Sequence, residues 1–278
     1  MLEILQYTFV QNALFALLLA SVACGVVGSF VVVKRISYIA GGIAHISFGG
    51  IGLGYFLGLD PVLVATPFSA ASAVGIGLLN RFTKLGEDIA IGMLWAMGMA
   101  LGVLLIYLTP GYAPDLFSYL FGNVLAVPQS DLWVMLALDA IIVASVAAFF
   151  EHFKAVSFDE TFAEVRGISA SAFYLFLLVL VALSVILLIK TIGVILVIAY
   201  LTIPAAIGRQ FTHNLWRLMA LSAFIGAFFG LAGFAFSYFF DLPTGATIVM
   251  AMGVGFAAIS LARRAVAPKS RAAAVRAQ

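Results

Sequence analysis

The sequence predicts an all-α, polytopic transmembrane helical bundle, and two observations support this fold class. Of the 278 residues, 64% are hydrophobic and 9% are charged, whereas soluble domains have about 45–50% and about 25%. Several apolar runs reach the roughly 20 residues needed to cross the hydrocarbon core of a bilayer. The polar segments between them are too short to bury a core of their own. We expect one transmembrane domain over residues 1–264 and a disordered cytoplasmic tail over 265–278.

The apolar runs predict eight or nine membrane spans. Leu116–Val127 is too short to cross and predicts an external or re-entrant helix between two loops. Residues 170–208 read either as one overlong span or as two spans joined by a hairpin at Lys190–Gly193. The nine-span assignment is approximately 9–33, 37–58, 61–80, 88–108, 131–150, 170–189, 192–208, 217–239 and 244–262.

The distribution of basic residues predicts the orientation of these spans. With nine spans and an external N-terminus, all but one of the 14 Lys and Arg residues face the cytoplasm. Only Lys190 lies on the other side. Cytoplasmic loops of membrane proteins are enriched in Lys and Arg, so this orientation is strongly favoured over its inverse. The C-terminus is then cytoplasmic.

A short charged helix is predicted at about 157–167, between two apolar spans on the cytoplasmic side. Ser157 followed by Glu160 matches the capping-box pattern that begins helices. Asp159 and Glu160 lie where the helix dipole favours anions, and Arg166 lies where it favours cations. Gly167 can adopt the left-handed conformation that ends a helix.

This helix has one apolar and one acidic face. Phe158, Phe162 and Val165 recur at helical spacing, whereas Asp159, Glu160 and Glu164 form the acidic side. Such a face can dock on another protein or lie on the lipid surface. Surface helices usually carry Lys and Arg against anionic lipid, so the acidic character favours docking.

His45 is the clearest ionisable residue within a predicted span, where such groups are costly and often functional. Gly41 and Gly49 lie one turn before and after it, which predicts an open hollow beside the imidazole. A further stripe at four-residue spacing suits close helix packing; it comprises Gly42, Ile46, Gly50 and Gly54. The alternative is a histidine that only hydrogen-bonds across a helix interface.

Asp139 is a second intramembrane candidate. It lies about 12 Å along a helix from Asp131, where a carboxylate needs water, a cation or a partner such as His45. The alternative is a protonated carboxyl that makes one interhelical hydrogen bond. Met93, Met97 and Met99 could be soft metal ligands, although methionine more often serves as adaptable packing.

The sequence offers little support for an enzyme. It contains no Gly-x-x-x-x-Gly-Lys-Ser/Thr loop, so it does not carry the usual phosphate-binding loop for ATP. His152 and His213 have no ligands nearby at zinc-site spacing. No segment resembles a nucleic-acid-binding surface.

Several segments together resemble the permeases of ABC-type zinc, manganese and iron importers. They occur in family order along nearly the whole chain. The matching segments are Gly28–Tyr38 with Ala44-His45, Ser118–Val127, Ser157–Gly167, Gly193–Val197 with Ile203–Ala206 around Pro204, and Asp241–Gly245.

The resemblance implies a homodimeric pore in a prokaryotic plasma membrane. It implies two cytoplasmic ATPase subunits, which bind the ATP, and an extracytoplasmic metal-binding protein that delivers the cation. The permease itself would bind no cofactor, and a divalent metal would be its substrate. The chain departs from the family at Gly41, where many members have Asp, and at Met93–Met97, where members of the zinc branch often have His.

We therefore expect the membrane subunit of an ATP-driven importer of a divalent metal, with His45 as a transient contact. Residues 157–167 would transmit the conformational change of the ATPase. One alternative is an ion-gradient-driven carrier in which Asp139 is the proton-coupling acid, and another is a structural membrane subunit that transports nothing. The sequence leaves the metal open among zinc, manganese and iron.

Overall fold

A computed structural model describes residues 6–82, 87–110 and 116–266 of the chain. Within these ranges the regular elements are helices, and the predicted fold class is confirmed. A 3₁₀ turn at Val124–Ala126 follows α5. The α-helices are α1 (Thr8–Lys34), α2 (Ser37–Phe56), α3 (Pro61–Phe82), α4 (Glu87–Leu108), α5 (Leu116–Phe121), α6 (Gln129–Ala148), α7 (Phe150–Phe158), α8 (Glu160–Val165), α9 (Ala170–Ile192), α10 (Val197–Gly208), α11 (Leu215–Phe240) and α12 (Thr244–Val266).

Eight helices in the described part of the chain are long and apolar enough to cross a membrane. They are α1 to α4, α6, α9, α11 and α12. The ninth predicted span corresponds to α10, which has 12 residues. Helix α12 continues to Val266, beyond the predicted start of the tail, and the prediction for 267–278 lies outside the described residues.

Helices α1, α2 and α9 form the interior of the bundle. Helix α1 packs against α6, α10 and α11, whereas α2 packs against α3 and α4. Helix α9 contacts members of both groups and joins them. The outer helices expose long apolar side chains, as expected for a protein whose surroundings are lipid.

Contacts at the two ends of the bundle establish the direction of the helices. At one end Lys34 pairs with Glu160, and Arg209 Nη1 donates to the carbonyl of Val32 over 3.2 Å. At the other end Asn12 Nδ2 donates to the carbonyl of Val127 over 3.2 Å. Basic residues at the ends of α1 and α10 therefore share one side, and the start of α1 lies on the opposite side.

The turn between α9 and α10 lies where a hairpin was predicted. Gly193 has φ 88°, a conformation that L-residues rarely adopt. Its neighbours Val194 and Ile195 donate backbone hydrogen bonds of 2.9 and 3.1 Å to the carbonyls of Tyr119 and Leu120 in α5. A Cβ at Gly193 would lie 2.5 Å from the Leu120 oxygen. This close approach fastens α5 to the turn and explains the need for glycine.

Candidate functional site

His45 is buried in the middle of α2, with 7% of its surface exposed. Its Nδ1 atom lies 2.8 Å from the carbonyl oxygen of Gly41, one turn earlier. A carbonyl only accepts hydrogen bonds, so Nδ1 carries the hydrogen. The imidazole stacks on the indole of Trp95 from α4, with ring centroids 3.9 Å apart and ring planes 26° apart.

The stacked pair lies in an interface where α2 and α4 are in backbone contact. His45, Gly49 and Gly52 follow one another along one face of α2. A Cβ on Gly49 would lie 3.0 Å from the Gly98 oxygen, and a Cβ on Gly52 would lie 2.5 Å from the Gly102 oxygen. Small residues allow such close packing of membrane helices. The glycine contacts thereby hold Trp95 against the imidazole.

The predicted hollow beside His45 is filled. A Cβ on Gly41 would lie 2.9 Å from Cδ1 of Ile198, and Gly49 faces both α4 and the Phe68 ring. Gly42 faces the side chain of Ile91 in α4, and Gly50 lies against Ala65 and Phe68 in α3. A glycine leaves open space only when no neighbouring helix packs against it, and here α3, α4 and α10 pack against these glycines. Pro204 is buried within α10, which also packs against α2.

Asp139 lies on α6, whereas His45 lies in the interface between α2 and α4. Asp139 is 4% exposed, and among the described residues neither of its carboxylate oxygens has a hydrogen-bond partner. Its helix α6 packs against α1 and α9. The suggested pairing of Asp139 with His45 is therefore absent from this structure. Within the described ranges, no three His, Cys, Asp or Glu side chains are grouped to hold a metal.

Trp95 is the site residue that sequence reasoning missed. The sequence points instead to the flanking Met93 and Met97, which are 57% and 63% exposed on the outside of α4. Trp95 precedes Gly98 and Gly102 by one and two turns on the same face of α4, but this spacing does not indicate that the face packs against His45.

The cytoplasmic segment is an elbow of two helices, α7 and α8, which we call the α7–α8 elbow. Ser157 was predicted to cap a helix, and this is wrong: it lies inside α7, buried at 8% exposure, and its Oγ has no hydrogen-bond partner in the described part of the chain. Asp159 is the cap, because its Oδ1 accepts a 2.9 Å hydrogen bond from the Phe162 amide. Asp159 has extended backbone angles, which separate α7 from α8.

Glu160 has a different partner from the predicted capping box. It pairs with Lys34 at the end of α1, and the same ammonium donates a 2.9 Å hydrogen bond to the carbonyl of Val156 in α7. Lys34 also lies 5.4 Å from the ring centre of Tyr174 in α9. The Lys34 side chain is 12% exposed and that of Glu160 is 47% exposed, so water screens the ion pair in part. The elbow is thus fastened to an interior helix.

The end of α8 follows the sequence prediction. Gly167 has φ 78°, its amide donates to the carbonyl of Glu164, and the Ile168 amide donates to that of Ala163. This pair of bonds is the Schellman arrangement that closes helices on a left-handed glycine. Arg166 lies over the Phe162 ring, with 5.5 Å from its Cζ to the ring centre.

The predicted apolar face of the elbow is largely exposed among the residues that the structure describes. Phe158, Phe162 and Val165 are 61%, 54% and 83% exposed. Phe158 and Phe162 line one concavity of about 460 Å³, together with Glu151, Lys154 and Arg166 among others. Aromatic groups exposed within a charged rim are typical of protein interfaces.

Comparison with known proteins places this arrangement in a family. The sequence profile of the ABC 3 transport family matches residues 6–263. The chain belongs to the ABC 3 transport family. This confirms the resemblance drawn from the sequence, and the chain is a multi-pass membrane protein of this group.

Three proteins show how far the similarity extends. An uncharacterized membrane protein of Synechocystis sp. is 43% identical, over 95% of this chain and 94% of its own. The manganese transport system membrane protein MntC of Listeria monocytogenes is 34% identical, over 91% and 90%. A solved structure of PsaBC from Streptococcus pneumoniae in complex with Fab contains a chain that is 30% identical, with a TM-score of 0.86, over 98% of this chain and 96% of that one.

Proposed function

We propose that this protein is the membrane-spanning permease of an ATP-driven importer that moves Mn²⁺ into the cytoplasm. Two identical permeases would form the pore, two cytoplasmic ATPase subunits would bind and hydrolyse ATP, and an extracytoplasmic protein would deliver the cation. Family membership supports the metal importer class, and the manganese transport relatives support Mn²⁺ among the metals left open by the sequence. The chain would bind no cofactor of its own.

The observation that carries the coupling proposal is the α7–α8 elbow. A soluble ATPase can drive a membrane protein only through contacts outside the bilayer. The elbow offers exposed Phe158 and Phe162 for such contacts, and the Lys34–Glu160 pair connects it to α1. Movement of a docked ATPase would thus be transmitted to α1, which packs against α10 and α11.

His45 is the proposed contact of the cation along the path. Mn²⁺ prefers carboxylate, carbonyl and water oxygens to imidazole nitrogen, so a single imidazole would be a weak ligand for it, and transport requires contacts weak enough to release the ion. A lone imidazole on an interior helix meets this requirement. Asp139 on α6 remains a second proposed contact, separate from His45 in the α2–α4 interface.

Family membership weighs against the two alternatives. The family that matches the chain is one of ABC transport, which favours ATP-driven transport over an ion-gradient-driven carrier and over a structural subunit that transports nothing. The decisive experiment is reconstitution of the permease with its ATPase and binding protein in liposomes. We expect Mn²⁺ uptake that requires ATP and persists when an uncoupler collapses the proton gradient. Uptake that ignores ATP and follows the proton gradient would contradict the importer and support the Asp139 carrier.

The proposed orientation has an external N-terminus and a cytoplasmic C-terminus. The end of the bundle that holds Lys34 and Arg209 also holds Arg263, whose Cζ lies 4.9 Å from the ring centre of Phe211. Cytoplasmic ends are enriched in such residues. The α7–α8 elbow lies at this basic end, where the ATPase subunits would dock, and α5 lies at the opposite end.

Cysteine labelling tests this orientation. A cysteine introduced at Gln278, in a chain whose Cys24 is replaced by alanine, should react with a membrane-impermeant maleimide only after the cells are permeabilised. The physical reason is the enrichment of Lys and Arg at the C-terminal end. A cysteine introduced at Asp60, in the opposite turn, should react in intact cells. The reverse pattern would exclude the proposed orientation.

The stop of α8 can be tested separately from docking. Gly167→Val should impair Mn²⁺-stimulated ATP hydrolysis more than binding of the ATPase, because forcing an L-residue into the left-handed region costs roughly 1–2 kcal/mol. Among the described residues, and apart from its two chain neighbours, no atom lies within 4 Å of a Cβ placed on Gly167, so we expect the effect to come from the backbone. Gly167→Asn is the control, since Asn tolerates this conformation. Equal activity of both variants would refute the role of the left-handed stop.

A further inference from the structure

His45 is held by two groups that leave one nitrogen available. Nδ1 donates to the Gly41 carbonyl, and within residues 6–82, 87–110 and 116–266 this is the hydrogen bond that the imidazole forms. In a neutral ring with hydrogen on Nδ1, the lone pair is on Nε2. The carbonyl therefore selects the nitrogen that can bind a cation.

The indole of Trp95 fixes the plane of that ring. The two rings overlap at 3.9 Å between centroids and 26° between planes, so rotation of the imidazole about its bond to Cβ would break the stack. A ring flip would also break the hydrogen bond to Gly41. The indole also lies near Tyr38 of α2, with ring centroids 6.4 Å apart and ring planes 47° apart. Trp95 thus contacts two aromatic side chains of α2.

We propose that Trp95 is a positioning residue for the transported cation: its stacked indole and the Gly41 carbonyl hold His45 so that Nε2 is presented to the metal. This inference rests on the proposed function, because it assumes that His45 contacts the cation. Groups that orient a metal-binding histidine raise its affinity by lowering the cost of ordering the ring. The Gly49–Gly98 and Gly52–Gly102 contacts keep α4 close enough for this stacking.

Removal of the stack should weaken metal binding while leaving the ligand present. We expect Trp95→Ala to raise the Kd of the purified permease–ATPase complex for Mn²⁺ by about 10-fold or more, the loss typical of an outer-shell partner of a metal ligand. Trp95→Phe retains an aromatic face and should keep most of the affinity. Titration followed by the electron paramagnetic resonance signal of free Mn²⁺ gives these constants. Trp133→Ala is the matched control, because Trp133 is 66% exposed on α6.

A second measurement keeps Trp95 in place and so does not depend on folding of the alanine variant. In a Trp133→Phe, Trp216→Phe background, Trp95 is the remaining tryptophan of the three. Paramagnetic Mn²⁺ bound to Nε2 should quench its fluorescence saturably, with the Kd of the resonance titration. Diamagnetic Zn²⁺ serves as the comparison ion. His45→Ala should abolish the saturable quenching.

The outcomes separate this inference from the function on which it rests. If the wild-type complex imports Mn²⁺ but Trp95→Ala binds it with wild-type affinity, or if quenching is unaffected by His45→Ala, the positioning role is wrong and the proposed function stands. If the wild type neither binds nor imports Mn²⁺, both are overturned. A raised Kd restored by Trp95→Phe, together with quenching that requires His45, supports the inference.

Discussion

Alanine at both Phe158 and Phe162 should weaken binding of the ATPase subunit roughly 30- to 150-fold. Complete burial of an aromatic side chain contributes about 1.5–3 kcal/mol. Phe158 and Phe162 are 61% and 54% exposed in the isolated permease, so docking can bury at most these exposed fractions. Their burial contributes about 2–3 kcal/mol for the pair, and each 1.4 kcal/mol corresponds to about a factor of ten in Kd.

The two rings line the same concavity, so their effects need not be additive. Both single variants should therefore be measured with the double variant, by co-purification and by titration of the ATPase onto the detergent-solubilised permease. Phe224→Ala, Phe228→Ala is a matched control, because these rings are 69% and 57% exposed on α11. Phe176 is a poor control, since its ring packs against Phe149 and Phe153.

A double variant that binds the ATPase as tightly as the wild type would refute the docking role. The elbow would then be a helix pair at the membrane surface, the alternative that the sequence left open.

The acidic groups of the elbow give a second test of docking against membrane association. Asp159 and Glu164 are exposed, and charges at the rim of an interface affect association rate and specificity more than affinity. Glu164→Gln should slow association of the ATPase mainly at low salt, whereas Asp159 also caps α8 and does not test charge alone.

The membrane spans could be predicted closely from the sequence because bilayer thickness imposes a length on each helix. The span predicted at 37–58 is α2 at Ser37–Phe56, and the one at 88–108 is α4 at Glu87–Leu108. Gly167 was also predictable, since a helix stop depends on one residue and its own backbone. Span length and a helix stop depend on interactions within one segment, so the sequence of that segment is sufficient to predict them.

Features that depend on two distant segments could not be predicted. Ser157 fits a capping box by spacing, but α7 extends through it, and Glu160 pairs with Lys34, far away in the chain. Gly41 and Gly49 predict open space until the positions of α3, α4 and α10 are known. Trp95 against His45 is of the same kind. These contacts depend on which helices pack together, and the pattern of residues within one segment does not show which helix will pack against it.

His45→Ala should reduce Mn²⁺ uptake by more than about 100-fold, beyond the roughly 10–100-fold that loss of an outer-shell partner of a metal ligand costs. The variant removes the proposed ligand atom Nε2 from the middle of α2, and in the described part of the chain no cluster of three His, Cys, Asp or Glu ligands is available to replace it. Uptake of radioactive Mn²⁺ by cells that also express the ATPase and binding protein measures the effect, at matched permease levels.

Alanine also removes the stack on Trp95, so a second variant is needed to separate ligation from packing. His45→Phe keeps an aromatic ring beside the indole but has no nitrogen for the cation. It loses the hydrogen bond to Gly41, which contributes only about 0.5–1.5 kcal/mol to stability. We expect His45→Phe to assemble with the ATPase like the wild type and to transport as poorly as His45→Ala. His213→Ala, in the exposed turn before α11, is the control and should transport normally. Wild-type uptake by His45→Phe would show that the imidazole serves packing alone, because the ring is then required and its nitrogen is not.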